Sequence, residues 1–280
     1  MEQENKGTLF ICATPIGNLE DASFRLIRIL GDVDLIAAED TRTVRKLLAR
    51  YEIFKKKIVS YYNYSKKDKI EYICRKLEEG ESVALVSESG MPAIQDPGYR
   101  LINNAIEKNI PLTVIPGPNA AVSALVLSGL ATDNFLFIGF LPKTKSKRKR
   151  KLSELATIPY TLIFYESPKR VKNLLGELKE KMGDRRSCVV REVTKLHEEV
   201  IRGSLSTIMS KLKERELKGE VVVLIEGYKR ELIKNYTDED LKKELLELLA
   251  QNISKKNALK IVLARYDIDK QSLYNISTKI

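Results

Sequence analysis

The sequence predicts an α/β fold: two α/β domains in succession, followed by a small bundle of helices. Three observations carry that reading. From Thr8 to Pro142, short apolar runs take turns with amphipathic helical stretches. Those runs are continuous, as in strands of a mostly parallel sheet covered on both faces. From Thr237 onward the apolar period is purely helical. Domain boundaries are expected at 1–142, 143–228 and 229–280.

In the first domain the candidate strands are LFICAT, VDLIAA, KIVSYY, SVALVS, LTVIP and FLFIGF. Helical patterns such as RTVRKLLARY, KIEYICRKLEEG and YRLINNAIEKN lie between them. In the second, YTLIFYESP reads as a strand, KRVKNLLGELKEKMG as a helix, SCVVREVTKL and EEVIRGS as a hairpin, and EVVVLIEG as a further strand. That mixture predicts a partly antiparallel sheet. In the third, Thr237 and Asp240 fit a capping box ahead of DLKKELLELLAQ. Ser254 is placed to cap KKNALKIVLARY, and Asp269 to cap KQSLYNI. The helix-turn-helix spacing of these three suits either RNA contact or plain packing and dimerisation.

The chain has 280 residues, 43% hydrophobic and 31% charged, a globular balance. Its start lacks a signal-peptide pattern, and its most apolar helical stretch, AAVSALVLSGLA, falls short of the roughly 20 residues that span a bilayer. A cytoplasmic protein with no membrane partner is expected. Cys12, Cys74 and Cys188 form no CxxC pair, and His197 is the single histidine, so no metal site is expected. His197 reads as a partly exposed residue at a strand end. Of the net charge of +11, seven positive charges fall in Lys143-Thr144-Lys145-Ser146-Lys147-Arg148-Lys149-Arg150-Lys151. So local an excess suits a polyanion. Seven like charges also predict a mobile segment: a solvated loop, or a contact for RNA phosphates, the latter favoured by its place between two domains.

Five segments follow strand ends, where open α/β sheets bind ligands. ATPIGNLED has one glycine, so it is no dinucleotide fingerprint, and no phosphate-loop motif occurs anywhere. Pro15 and Gly17 give a stiff loop with accessible backbone, or the segment is a plain turn capped by Asp21 or Ser23. AAEDTR offers Glu39, Asp40 and Arg42, or Asp40 as an N-cap. VALVSESGMPAIQDPG packs two carboxylates, two serines, two prolines and two glycines into one loop, more than a turn needs. VIPGPNAAVSALVLSG turns sharply at Pro116-Gly117-Pro118 and opens a helix at Asn119-Ala120-Ala121, whose first N–H groups are predicted to be free for a polar ligand. FYESPKR sets an aromatic pair beside Glu166. Together these suit a flat ligand, part apolar and part polar, held between two domains.

ATPIGNLED, AAEDTR, ALVSESGMPAIQDPGYR, IPGPNAAVSAL, GFLP, FYESPKR, REVTKLHEE and GEVVVLIEG occur in that order. They resemble the ribosomal RNA small subunit methyltransferase I family, a branch of the tetrapyrrole methylase superfamily, from about Leu9 to Gly227. The resemblance implies S-adenosyl-L-methionine bound in a cleft between two α/β domains, and a homodimer. It implies 2′-O-methylation of a cytidine in the decoding region of 16S rRNA, with the small ribosomal subunit as substrate. By position, Pro15, Gly17, Ser87, Glu88, Ser89, Gly90, Pro116, Gly117, Pro118, Asn119, Ala120 and Tyr165 match loops lining the donor cleft. There are departures. Ser87-Glu88-Ser89-Gly90-Met91-Pro92 stands where the family usually has S-D-A-G-T-P, and Asn119 where it usually has serine. YYNYSKKD replaces a usual histidine-asparagine-glutamate cluster.

Methyl transfer from a sulfonium needs alignment, worth roughly 7–11 kcal/mol, more than it needs a strong base. Candidate bases are Glu39, Asp40, Glu88, Glu166 and Lys195. Glu166 is preferred for its place at the second domain's edge of the cleft. A tetrapyrrole-directed methylase and a non-catalytic RNA-binding relative would share the fold. The basic tract argues against the first, and the intact donor loops against the second.

Overall fold

A computed structural model of the chain describes residues 6–62, 67–229, 233–278 and 280. Its first sheet holds β1 (Leu9–Cys12), β2 (Leu35–Ala38), β3 (Lys57–Ser60), β4 (Val83–Val86) and β5 (Leu112–Ile115). All pairs are parallel, in the order β3-β2-β4-β1-β5. The two-residue period of a strand sorts each apolar run onto two faces. Leu35, Ala37, Val83 and Leu85 pack with α3 (Lys67–Glu78) and α4 (Tyr99–Glu107). Ile36, Ala38, Ala84 and Val86 pack with α1 (Phe24–Asp32) and α2 (Thr41–Arg50). Double burial explains why the runs are apolar throughout.

The second sheet holds β6 (Phe135–Phe140), β7 (Thr161–Glu166), β8 (Arg186–Arg191), β9 (Glu199–Ser204) and β10 (Val221–Ile225), in the order β6-β7-β10-β8-β9. β6 runs parallel to β7, and the other pairs are antiparallel. One face packs on α6 (Lys145–Leu155), α7 (Val171–Met182) and α8 (Leu205–Leu212). The other face takes Ala121, Ala124 and Leu125 of α5 (Ala120–Ser128), and Ile16 from the loop after β1.

That packing corrects one expectation. FLFIGF, grouped by its position with the first sheet, is hydrogen-bonded into the second as β6. The chain has already crossed over by then: α5 lies on the second sheet, and β5 is the edge of the first. The charge run is corrected too. Residues 145–155 are helical rather than a mobile segment, because Arg148, Leu152 and Leu155 recur one turn apart and are buried.

The chain divides into a unit ending at Gly227 and a unit running from Tyr228 to Ile280. The latter packs α9 (Asp238–Ala250), α10 (Lys255–Leu263) and α11 (Lys270–Ser277) around Leu241, Leu245, Ala258, Val262 and Leu273. Thr237 and Asp240 form the expected capping box, and Asp269 caps α11. Ser254 is the N-cap residue of α10, but its side chain makes no capping bond. Among the described residues, no helix is long and apolar enough to cross a membrane.

Candidate functional site

The loops after β1, β4 and β5 are tied to one another. Thr14 N–H donates to Gly90 O at 2.9 Å and Gly90 N–H to Thr14 O at 3.1 Å, while Ala13 N–H donates to Ile115 O at 3.0 Å. Gly90 has φ +81°, a left-handed conformation that a side chain would strain. The Ser87 hydroxyl donates to Gly90 O at 3.0 Å and closes that turn. Gly117 lies so near Ala13 that a Cβ there would meet the alanine Cβ at 3.0 Å. The first loop also reaches the second sheet. Asn18 N–H donates to Thr194 Oγ1 at 3.2 Å, and the Lys195 side chain lies over Gly17.

These loops border a cavity of about 590 Å³. Glu88, Ser89, Gly90, Met91, Gln95 and Asp96 line it from the first sheet. Tyr165, Glu166, Lys195 and Glu220 line it from the second, and Asn119 and Ala120 from the start of α5. Of the donor-site residues predicted from sequence, Glu88, Ser89, Gly90, Asn119, Ala120 and Tyr165 thus stand on one wall or another. Ser87 is buried behind the turn it closes. Pro15, Gly17, Pro116, Gly117 and Pro118 are not on the wall; Gly117 and Gly17 serve the loop-to-loop packing. The N–H groups expected to be free at the start of α5 are partly taken. Asn119 Oδ1 accepts from Ala121 N–H at 3.0 Å and Val122 N–H at 3.1 Å. Of YYNYSKKD, Tyr61 is buried and accepts from Leu101 N–H at 3.2 Å, whereas residues 63–66 lie outside the described ones.

The predicted bases differ sharply in surroundings. Glu166 is buried and saturated: its carboxylate accepts from Arg148 Nη1 at 3.0 Å, Arg170 Nε at 2.8 Å and its neighbour Ser167 N–H at 2.9 Å. Asp40 caps α2 and is gripped by Arg42, which holds its carboxyl down at about 2. At Lys195 burial works against the charge, but Glu192 at 3.0 Å and Glu220 at 3.3 Å outweigh it and raise the pKa. A lysine held that firmly protonated does not take up a proton. Glu39 is raised by burial, a bond from Glu88 N–H opposing. Glu88 is exposed.

Sequence reasoning missed Asp96. Its carboxyl is half-buried on the cavity wall, and burial together with the nearby Glu39 pushes it up to about 7. The Gln-Asp-Pro-Gly run marks a special turn but does not disclose that burial. Tyr165 stacks edge-on with Phe137 and Phe140. Burial raises its phenol, although the Ala121 N–H opposes, so it faces the cavity as a neutral hydroxyl.

The basic tract now has two sides. Lys143, Lys145, Lys147, Lys149 and Arg150 are exposed and Lys151 is half-buried, whereas Arg148 is buried and bonded to Glu166 and Glu177. Arg148 is therefore not available to RNA. His197 is exposed in the turn between β8 and β9, and the three cysteines are buried and unpaired.

The tetrapyrrole (corrin/porphyrin) methylases match residues 8–209 of the chain. The ribosomal RNA small subunit methyltransferase I of Halalkalibacterium halodurans is 42% identical over 282 residues, covering 98% of this chain and 96% of that protein. The protein of the same name from Bacillus subtilis is 36% identical over 277 residues, covering 98% and 94%. Among solved structures, a cobalt precorrin-4 methyltransferase superposes with TM-score 0.60 at 16% identity, covering 79% of this chain and 95% of that one. A diphthine synthase gives TM-score 0.59 at 14% identity, covering 78% and 89%. These two likenesses are of fold alone.

Proposed function

Because the chain belongs to the tetrapyrrole methylase family, we propose that it is an S-adenosyl-L-methionine-dependent methyltransferase of ribosomal RNA. In the finer reading it methylates the 2′-hydroxyl of a cytidine in the decoding region of 16S rRNA, on the small ribosomal subunit and as a homodimer. The observation that carries the proposal is the cavity at the C-terminal ends of parallel strands, walled by loops from both sheets. Relatives 36–42% identical over nearly the whole chain bear the name of a ribosomal RNA methyltransferase.

The cavity suits the donor. Its walls mix apolar and polar groups, as a nucleoside with an amino-acid tail requires. Thr14, paired through its backbone with the wall residue Gly90, has a buried hydroxyl with no hydrogen-bond partner among the described residues. Glu88, Ser89, Gly90, Asn119, Ala120 and Tyr165 would hold the donor. When bound, it supplies a sulfonium methyl group already activated for displacement. The protein's share is alignment: hydrogen-bonded loops and a wall fixed by Glu166 hold the reactants in place. The exposed cations of α6 meet RNA phosphates.

The test is to incubate the protein with labelled S-adenosyl-L-methionine and small ribosomal subunits, bare rRNA or a porphyrinoid, and then map the label. A methyl group on a cytidine 2′-oxygen of 16S rRNA is expected. Label only on the porphyrinoid, or none, would overturn the proposal. Gly90→Val and Gly117→Val should abolish donor binding by calorimetry; full affinity in both would remove the pocket from consideration.

A further inference from the structure

Resting on that reading of the cleft, we propose that Asp96 is the general base of the methyl transfer, the group that receives the proton of the acceptor hydroxyl. The O–H bond breaks toward the Asp96 carboxylate as the oxygen forms its bond to the methyl carbon. The C–S electron pair stays on sulfur, and the proton leaves Asp96 for solvent afterwards.

The choice follows from elimination among the carboxyls near the cavity and from the loop that carries Asp96. Glu166 has its oxygens filled by two guanidiniums and a backbone N–H, and Asp40 is bound to Arg42. Glu88 and Glu220 are exposed, Glu220 beside Lys195. Asp96 alone combines a place on the wall, partial burial and, among the described residues, no ion pair with a lysine or arginine. The charged and titratable groups around it are Glu39 beyond β2, Glu88 in its own loop, Glu220 ahead of β10 and Tyr165 on β7, with the nearby Ser87 side chain partly opposing them. That company disfavours a second negative charge and leaves the carboxyl titrating near neutrality, which suits a general base.

The loop is built to hold that position. Ala93 and Gln95 both adopt left-handed backbone, at φ +69° and +67°, conformations that non-glycine residues avoid. Ala93 N–H donates to Pro97 O at 3.2 Å and closes the loop around Asp96. From the second sheet Gly139, at φ +68° in the irregular part of β6, lies flat against Gln95. A Cβ there would stand 2.2 Å from Gln95 Nε2. The strain is thus clamped from both sheets at one residue facing the cavity.

The experiment pairs Asp96→Asn with the wild-type protein. Methyl transfer to small subunits should fall by about 100-fold or more, donor affinity by calorimetry should stay within about twofold, and the wild-type rise of rate with pH near 7 should vanish. In the donor-free protein, carbon-13 NMR of the side-chain carboxyl should show a midpoint near 7, and this readout needs no variant to fold. A midpoint near 4, an unchanged pH–rate profile in Asp96→Asn, or loss of donor affinity would each overturn the inference; the last would make Asp96 a donor-holding residue. Wild-type protein inert on small subunits, with the NMR midpoint intact, would instead count against the substrate reading.

Discussion

Glu166, at the end of β7, and Asp96, in the loop after β4, reach the same cavity from opposite sheets in different company. The side chain of Glu166 is 1% exposed and meets two arginines, one of them Arg148, itself 9% exposed. Asp96 is less buried and stands among other carboxylates. Both sit where a carboxylate is poorly hydrated, yet only one is compensated. A buried charge with full partners is scaffold: it fixes Tyr165, Ser167 and Pro168 on the cavity wall. A partly buried carboxyl without them retains a proton affinity that chemistry can use.

The largest expected effect is on the compensated side. Glu166→Gln removes the charge on which Arg148 and Arg170 converge, and breaking a buried pair costs roughly 3–5 kcal/mol. The lower end, about 3 kcal/mol, is expected because Glu177 still partners Arg148. Chemical denaturation measures it, and a loss below about 1 kcal/mol would erase the contrast with Asp96. Donor affinity should fall alongside stability as the wall loosens. Loss of turnover with stability and donor affinity both intact would return Glu166 to the candidate bases.

The opposite sign is expected for Asp96→Asn. An unfolded aspartate titrates near 3.9 and the folded Asp96 near 7. Below pH 4 both states hold the proton and nothing is gained or lost. As pH rises from about 4 to about 7 the unfolded chain ionises first, so the native carboxyl lowers stability, and above 7 that loss is constant. Three units would correspond to about 4 kcal/mol; with water reaching the half-buried group, about 2 kcal/mol is expected. The asparagine variant should therefore gain about 2 kcal/mol on wild type between pH 4 and pH 8 in parallel denaturation series. Equal pH dependence of the two proteins would mean that Asp96 ionises as an ordinary carboxylate.

The contrast between the two carboxyls also shows how far the sequence could be read. Strand runs, the three-part order, the capping box at Thr237 and the cap at Asp269 depend on residues a few positions apart, and they were legible. The sheet that β6 joins was not, because α5 decides it by packing Ala121, Ala124 and Leu125 on the second sheet. Arg148 was hidden among like charges, although its spacing to Leu152 and Leu155 marks a buried seam. Asp96 was harder still: its environment is made by Glu39, Tyr165 and Glu220, all far along the chain. The candidate wall was legible at Glu88, Ser89, Gly90, Asn119, Ala120 and Tyr165 because each lies at or just beyond the end of a regular element.

The smallest effect separates the two sides of α6. Lys147, Lys149 and Arg150 are exposed, with Arg150 weakly engaged by Glu154 at 3.2 Å, whereas Arg148 points inward to Glu166 and Glu177. Replacing the three exposed cations with Gln keeps helix-forming side chains and leaves Arg148 in its ion pairs, so fold and donor affinity should be unchanged. Each RNA phosphate that the variant no longer neutralises should flatten the slope of log affinity against log salt by about one unit. Arg148→Gln should do the reverse: it should weaken folding and donor binding and leave the salt slope of the folded protein alone. Binding to small ribosomal subunits across a salt series measures both. An unchanged slope in the triple variant would remove RNA contact from α6 and move the search to α9, α10 and α11.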